Sequence, residues 1–161
     1  MDKSLSNQSP YFWPLSRALL NEILNDRIND RFVAERVWER LGYQPMDQNS
    51  TLWCAGARTP SEWRQAFPKA PEVIAQRPAS VQLTRSIEKV YKQLLKSQLS
   101  FAGYRISELY PRRTRRATAI NWLLAWQAKT EASLPEEGPL PTLLEPPTDP
   151  VHGHPGDLAI E

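Results

Sequence analysis

Fifteen prolines are spread so unevenly over these 161 residues that they mark where a helix can run and where it cannot. Proline lacks an amide hydrogen and clashes with the preceding turn everywhere except in a helix's first turn. Seven of them fall in the last 31 residues, EASLPEEGPLPTLLEPPTDPVHGHPGDLAIE, with three of the six glycines and no aromatic residue. Segment 131–161 therefore reads as a disordered, proline-rich acidic tail of polyproline II character, in which PLPTLLEPP either docks as a short peptide or merely solubilises. Upstream, Pro14 and Pro111 suit the first position of two helices. Pro68 closes a short one, and KAPEVIAQRPASVQLT is punctuated enough to be at best partly extended.

Between the prolines, apolar residues recur at helical spacing. Leu15, Leu19, Leu20, Ile23 and Leu24 share one face of the first helix. A second starts after Asn29 as N-cap, carries Val33, Val37 and Leu41, and stops at Gly42. The short NDRIND link makes the two an antiparallel helical hairpin, with Arg31, Glu35, Arg36, Glu39 and Arg40 on its solvent face. GYQPMDQNSTLWCAG has two strand-like runs around MDQNS and predicts a small β-hairpin. SEWRQAF predicts a turn or two of helix capped by Thr59 or Ser61. A third long helix is expected from Ser86 to Gln98, with Ile87, Tyr91, Leu94 and Leu95 inward and Lys89, Lys92 and Lys96 outward. With the helix after Pro111, the expected fold is mainly α: a compact bundle of about four helices with a small β-hairpin insertion and a disordered C-terminal tail. It forms one domain over residues 11–130, behind a flexible N-terminus at residues 1–10.

The net charge of +2 hides a block structure. Residues 1–76 carry nine Lys/Arg and nine Asp/Glu, residues 77–130 eleven and two, and residues 131–161 none and seven. Such asymmetry bears on partners more than on fold, since long-range field governs association. The middle block is the candidate surface.

Catalytic chemistry finds little purchase. His152 and His154 both lie in the tail, so a serine or cysteine nucleophile elsewhere lacks a histidine base. Glu35 and Glu39 sit among arginines, where solvated ion pairs are the ordinary explanation. Neither G-x-G-x-x-G nor G-x-x-x-x-G-K-[ST] occurs. His152, His154 and Asp157 have metal-ligand chemistry, but two histidines on a flexible tail are weak grounds for a site. Cys54 stands alone, which excludes an intramolecular disulfide and a cysteine zinc site and suits a reducing compartment. It is expected to pack beside Trp53 as a small apolar residue. No apolar run approaches 18 residues and the N-terminus lacks the order of a secretory signal, so no membrane insertion is expected and the setting is cytoplasmic. The expectation is a protein that is not an enzyme, uses no cofactor or metal, and shows no small-molecule substrate.

The informative stretch is PRRTRRATAINWLLAW. Arg112, Arg113, Arg115 and Arg116 occupy the first turn and a half of its helix, the end that repels cations, each at a cost of about 0.3–1 kcal/mol when exposed. Either internal carboxylates compensate, or an outside anion does. Ala117, Ile120, Leu123 and Leu124 share one face, while Arg112, Arg115, Ala119, Trp122 and Trp126 share another. Either the helix is central with both faces buried, or the Arg/Trp face meets a partner. The wheel sends Arg112 and Arg115 outward with the tryptophans, and Arg113 and Arg116 inward. Arg and Trp are enriched at interface hot spots and also suit phosphate contact and base stacking. The residues expected to dock are Arg112, Arg115, Trp122 and Trp126, with Arg105, Lys92 and Lys96 around them. The expected partner is an acidic protein surface, and the alternative is RNA or DNA.

VWERLGY, SEWRQAFP, RPASVQLTRSI, KQLLKSQLSFAGYRISEL and PRRTRRATAINWLLA together resemble a cyanobacterial and plant-plastid family, the domain of unknown function numbered 1823, over about residues 12–127. The resemblance implies a photosynthetic lineage and a cytoplasmic or stromal setting, a lineage that assembly or regulation of a photosynthetic complex would fit. It brings no activity and no catalytic residue. SIEKVYKQ lacks the prolines expected near the start of that helix, which bears only on the helix boundary.

Overall fold

Ser16, not Pro14, opens the first helix. Its side chain accepts the Leu19 amide at 3.0 Å, and α1 runs Arg17–Leu24. This computed structural model describes residues 12–48, 51–130 and 132–161, so the expected flexible segment 1–10 lies outside it. Asn29 caps α2, Asp30–Leu41, by accepting the Phe32 amide at 2.8 Å. Gly42 ends it at φ +84°, and a Cβ there would lie 2.9 Å from the Arg58 carbonyl carbon. Glycine is required at that position by both conformation and space.

The β-hairpin is present: β1, Gln44–Pro45, pairs antiparallel with β2, Trp53–Cys54. α3, Ser61–Ala66, follows with neither expected residue as its cap; Thr59 instead accepts the Gly56 amide. The expected long helix from Ser86 to Gln98 is replaced by two. α4 spans Arg77–Ser86, with Pro78 in its first turn, and α5 spans Leu94–Leu99. A proline read as a breaker is a helix starter when it falls at the first turn. Ile87 turns extended at ψ 119°, and a 3₁₀ turn at Lys89–Tyr91 bridges the gap. The expected orientation survives, with Ile87 buried and Lys89, Lys92 and Lys96 exposed.

α6, Pro111–Lys129, is the axis of the molecule. α1, α2, α4 and α5 all pack against it, so the first two helices lean on a common post more than on each other. Ala119, Ile120, Trp122, Leu123, Leu124 and Ala125 are all buried. Of the two positions open to this helix, the central one is realised. Among the described residues the fold is mainly helical, with six α-helical segments and one two-stranded hairpin.

Two expectations about the surface fail. The outer face of α2 is partly covered: Arg36 and Glu39 are buried, and the Arg36 and Arg40 guanidiniums stack on Phe32 and Phe12 at 4.1 Å. Glu39 accepts from Arg36 Nη2 at 3.3 Å, Arg40 Nη1 at 3.0 Å and the Trp13 amide at 3.1 Å, with Arg36 Nε ion-paired at 2.9 Å. Burial pushes its carboxyl up to about 7 against the pull of both arginines.

The second concerns the tail, expected to be disordered, which lies along the body. Pro135 and Glu136 carbonyls accept the Arg17 and Ala18 amides at 2.9 and 3.0 Å, closing the exposed start of α1. Pro139 accepts Trp13 Nε1, the Leu144 amide bonds the Arg27 carbonyl at 2.8 Å, and Leu134, Leu143 and Ile160 pack on the core. An extended proline-rich strand makes no internal hydrogen bonds, which leaves its carbonyls free to cap helices. Composition counts the missing aromatics and overlooks that capacity.

Candidate binding groove and the buried arginine cluster

The four arginines at the start of α6 have different fates. Arg112 is 1% exposed and reaches three carboxylates: Asp26 at 2.7 and 2.9 Å, Asp30 at 3.1 Å and Asp157 of the tail at 3.3 Å. Arg116, 3% exposed, reaches Asp30 at 2.7 Å and the carbonyls of Ile23 and Ile28 at 2.9 Å. Residues four apart on a helix stack on one face, and Arg112 and Arg116 meet Asp26 and Asp30, also four apart. Asp26 takes its place at φ +59°, a left-handed conformation that aspartate tolerates. Burial alone would raise its carboxyl, but the Arg112 hydrogen bond and the Arg116 and Arg112 charges outweigh it and hold the group below 3.8. Arg112 is held charged in the same way: burial works against it, and Asp26 and Asp30 prevail.

Arg112 is thus internal, which corrects its expected place on a docking face. Trp122 is buried too, at 7% exposure, with Nε1 donating to Ser86 Oγ at 3.0 Å. Trp126 is half-buried between Phe12 and the Arg40 guanidinium. The wheel-based division of the arginines holds for Arg116, which is buried and ion-paired, and for Arg115, which stays at the surface, and fails for the other two. Arg113, expected inward, is the one that pairs near the surface, with Glu108 at 2.9 Å. No local signal marked the pairing of Asp26 and Asp30 with Arg112 and Arg116, because Asp26 lies in the turn between α1 and α2 and shares no helix face with Asp30.

Arg115 and Lys92 lie at the surface, each beside a hollow. α4 and the first turns of α6 enclose a groove of about 510 Å³ lined by Arg77, Arg85, Arg115, Val81 and Leu109. Thr84 and Thr118 join it to a second hollow of about 240 Å³ beside Ile87, Leu95 and Lys92. Arg115 is anchored by donating to the Ile74 and Ala75 carbonyls at 3.0 and 3.2 Å. Burial, and then the charge of Arg77, lower its hold on its proton. Among the described residues no carboxylate pairs with Arg77, Arg85, Arg115 or Lys92 within 4 Å. Lys96 and Arg105 are exposed but line neither hollow. The furrow is a positive trough with apolar walls, suited to an extended segment bearing carboxylates and aliphatic side chains.

The tail histidines go to separate partners. His152 Nδ1 lies 2.5 Å from Asp149, and His154 Nε2 lies 3.1 Å from the Glu145 carbonyl. Among the described residues no group of three or more His, Cys, Asp or Glu could hold a metal ion, and no helix is long and apolar enough to cross a membrane.

Residues 14–128 match the family described as Domain of unknown function (DUF1823). A chain solved as a "Solution NMR structure of the protein" is 47% identical, with a TM-score of 0.62, and the match covers 73% of this chain and 97% of that one. A comparison with curated proteins finds no match.

Proposed function

We propose, for a chain that belongs to the DUF1823 family, that the domain is a non-catalytic docking module whose groove between α4 and α6 receives an acidic segment of a partner protein. The observation that carries this reading is the pair Arg77 and Arg115, two cations facing one groove with no carboxylate between them, beside the exposed side chains of Val81 and Leu109. Like charges held together in a partly dry trough are relieved by an anion, and the apolar walls add area to the contact. Among the described residues the furrow is lined by no carboxylate, histidine or cysteine, which favours a binding role. A nucleic acid would meet the same cations, but Trp122 and Trp126, the expected stacking platforms, are engaged inside the fold. Assembly or regulation of a photosynthetic complex, in cytoplasm or stroma, is a setting in which such a module fits.

The test is fluorescence anisotropy with a labelled peptide of alternating glutamate and leucine, against an oligouridine of equal length. Arg77→Gln with Arg85→Gln should weaken peptide binding by about tenfold or more, since both side chains are exposed and their loss spares the core. Preferential binding of the oligonucleotide, with a steep log-linear salt dependence, would move the assignment to nucleic acid.

A further inference from the structure

Every group that builds the seat around Arg112 lies within residues 14–128, and every group that fills it lies beyond. The domain supplies Asp26, Asp30, Arg112 and Arg116. The far end of the tail supplies Pro150, Gly153, His154 and Asp157. Asp26 and Asp30 grip the Arg112 guanidinium from two sides and fix its orientation without help from the tail. The tail adds to these grips: Arg112 Nη1 donates to the Pro150 carbonyl at 3.1 Å, Nη2 reaches Asp157 Oδ2 at 3.3 Å, and the first amide of α2 donates to Asp157 Oδ1 at 3.0 Å. One aspartate therefore reads a guanidinium and a helix N-terminus together, two anion-selecting groups at fixed separation.

The occupant is shaped for close approach. Gly153 sits at φ +92°, and a Cβ there would stand 2.5 Å from Asp157 Oδ2 and 2.6 Å from Arg112 Nε, which is held by its bond to Asp30. The loop is closed on itself by the Gly153 amide to the Asp149 carbonyl at 2.9 Å and the His154 amide to Asp157 Oδ2 at 2.8 Å. Its hold is incomplete. His154 is 5% exposed, yet its Nδ1 has no hydrogen-bond partner and lies 3.8 and 3.6 Å from carboxylate oxygens of Asp26 and Asp157. A buried polar atom left unpaired weakens the contact that buries it. The near end of the tail, by contrast, caps α1 through Pro135 and Glu136.

We propose that residues 149–157 are a releasable latch in a carboxylate-docking seat of the domain. In trans the seat takes a partner segment that presents an aspartate beside a glycine-containing tight turn, and that segment displaces the latch. This seat shares no residue with the α4/α6 groove and stands or falls apart from it.

The experiment uses the full chain and, as probe, a labelled peptide of residues 145–161. Gly153→Ala should raise amide exchange across 149–157 while α2 and α6 stay as protected as in the wild type. The opened variant should bind the peptide at least about tenfold more tightly than the wild type, in which the tethered latch competes at high effective concentration. A peptide carrying Asp157→Asn should bind neither. Asp157→Asn in the chain is the second opening variant and should behave as Gly153→Ala does. The proposal is overturned if exchange in 149–157 is unchanged in both variants, if α2 and α6 lose protection together with the latch, or if the opened chains fail to prefer the aspartate peptide.

Discussion

Replacing Arg112 with glutamine tests the central claim about α6. Three carboxylates, those of Asp26, Asp30 and Asp157, lie within 3.3 Å of the guanidinium, and their side chains are 11%, 9% and 2% exposed. In the variant Arg116 is the arginine left to Asp26 and Asp30, and Asp157 keeps its two backbone donors, with His154 Nδ1 3.8 and 3.6 Å from Asp26 and Asp157. Removing one partner of a buried ion pair costs about 3–5 kcal/mol. Relief of the unfavourable cation at the helix start returns about 0.3–1 kcal/mol. A net loss of about 3 kcal/mol is expected, which for a chain of this length lowers Tm by roughly 6–12 °C. Arg113→Gln is the control, because its Glu108 pair is half-exposed and such pairs contribute about 0.2–1 kcal/mol. Urea denaturation of both variants, with the midpoint compared at constant m, measures the difference. An Arg112→Gln chain within about 1 kcal/mol of wild type, at unchanged m, would show that the carboxylates find water or each other's protons and that the cluster does not hold the fold.

Two further expectations follow from single positions. The Asp26 carboxyl is held below its ordinary 3.8 in the fold and returns there on unfolding, so its stabilisation is complete above that value and lost as pH falls through the lower folded one. Thermal melts from pH 6 to pH 2 should show a shallower acid decline in Asp26→Asn; an identical decline would remove Asp26 from the account. Gly42→Ala puts a side chain at φ +84° and 2.9 Å from backbone, and should cost about 1–3 kcal/mol in denaturant titration. A neutral result would mean that the α2 terminus is free to repack.

Sequence alone determined what local rules control. Asn29 and Gly42 set the ends of α2 because a cap and a left-handed residue act within a few positions of themselves. The hairpin at Gln44–Cys54 and the inward side of Ile87 followed from turn residues and periodicity, which are equally local. The split of one expected helix into α4 and α5 was less legible, since Pro78 breaks or starts a helix according to where the first turn falls. Tertiary structure decided the rest. Whether Arg112 faced a partner or a carboxylate depended on where α1, α2 and the tail came to lie, and a helical wheel knows one helix only. The tail's place was settled by amides at the starts of α1 and α2 in need of acceptors, a demand made more than a hundred residues away from the carbonyls and carboxylate that meet it. Distant partners of that kind leave no periodicity in the chain, so the fold class could be read from the sequence while the placement of its charges could not.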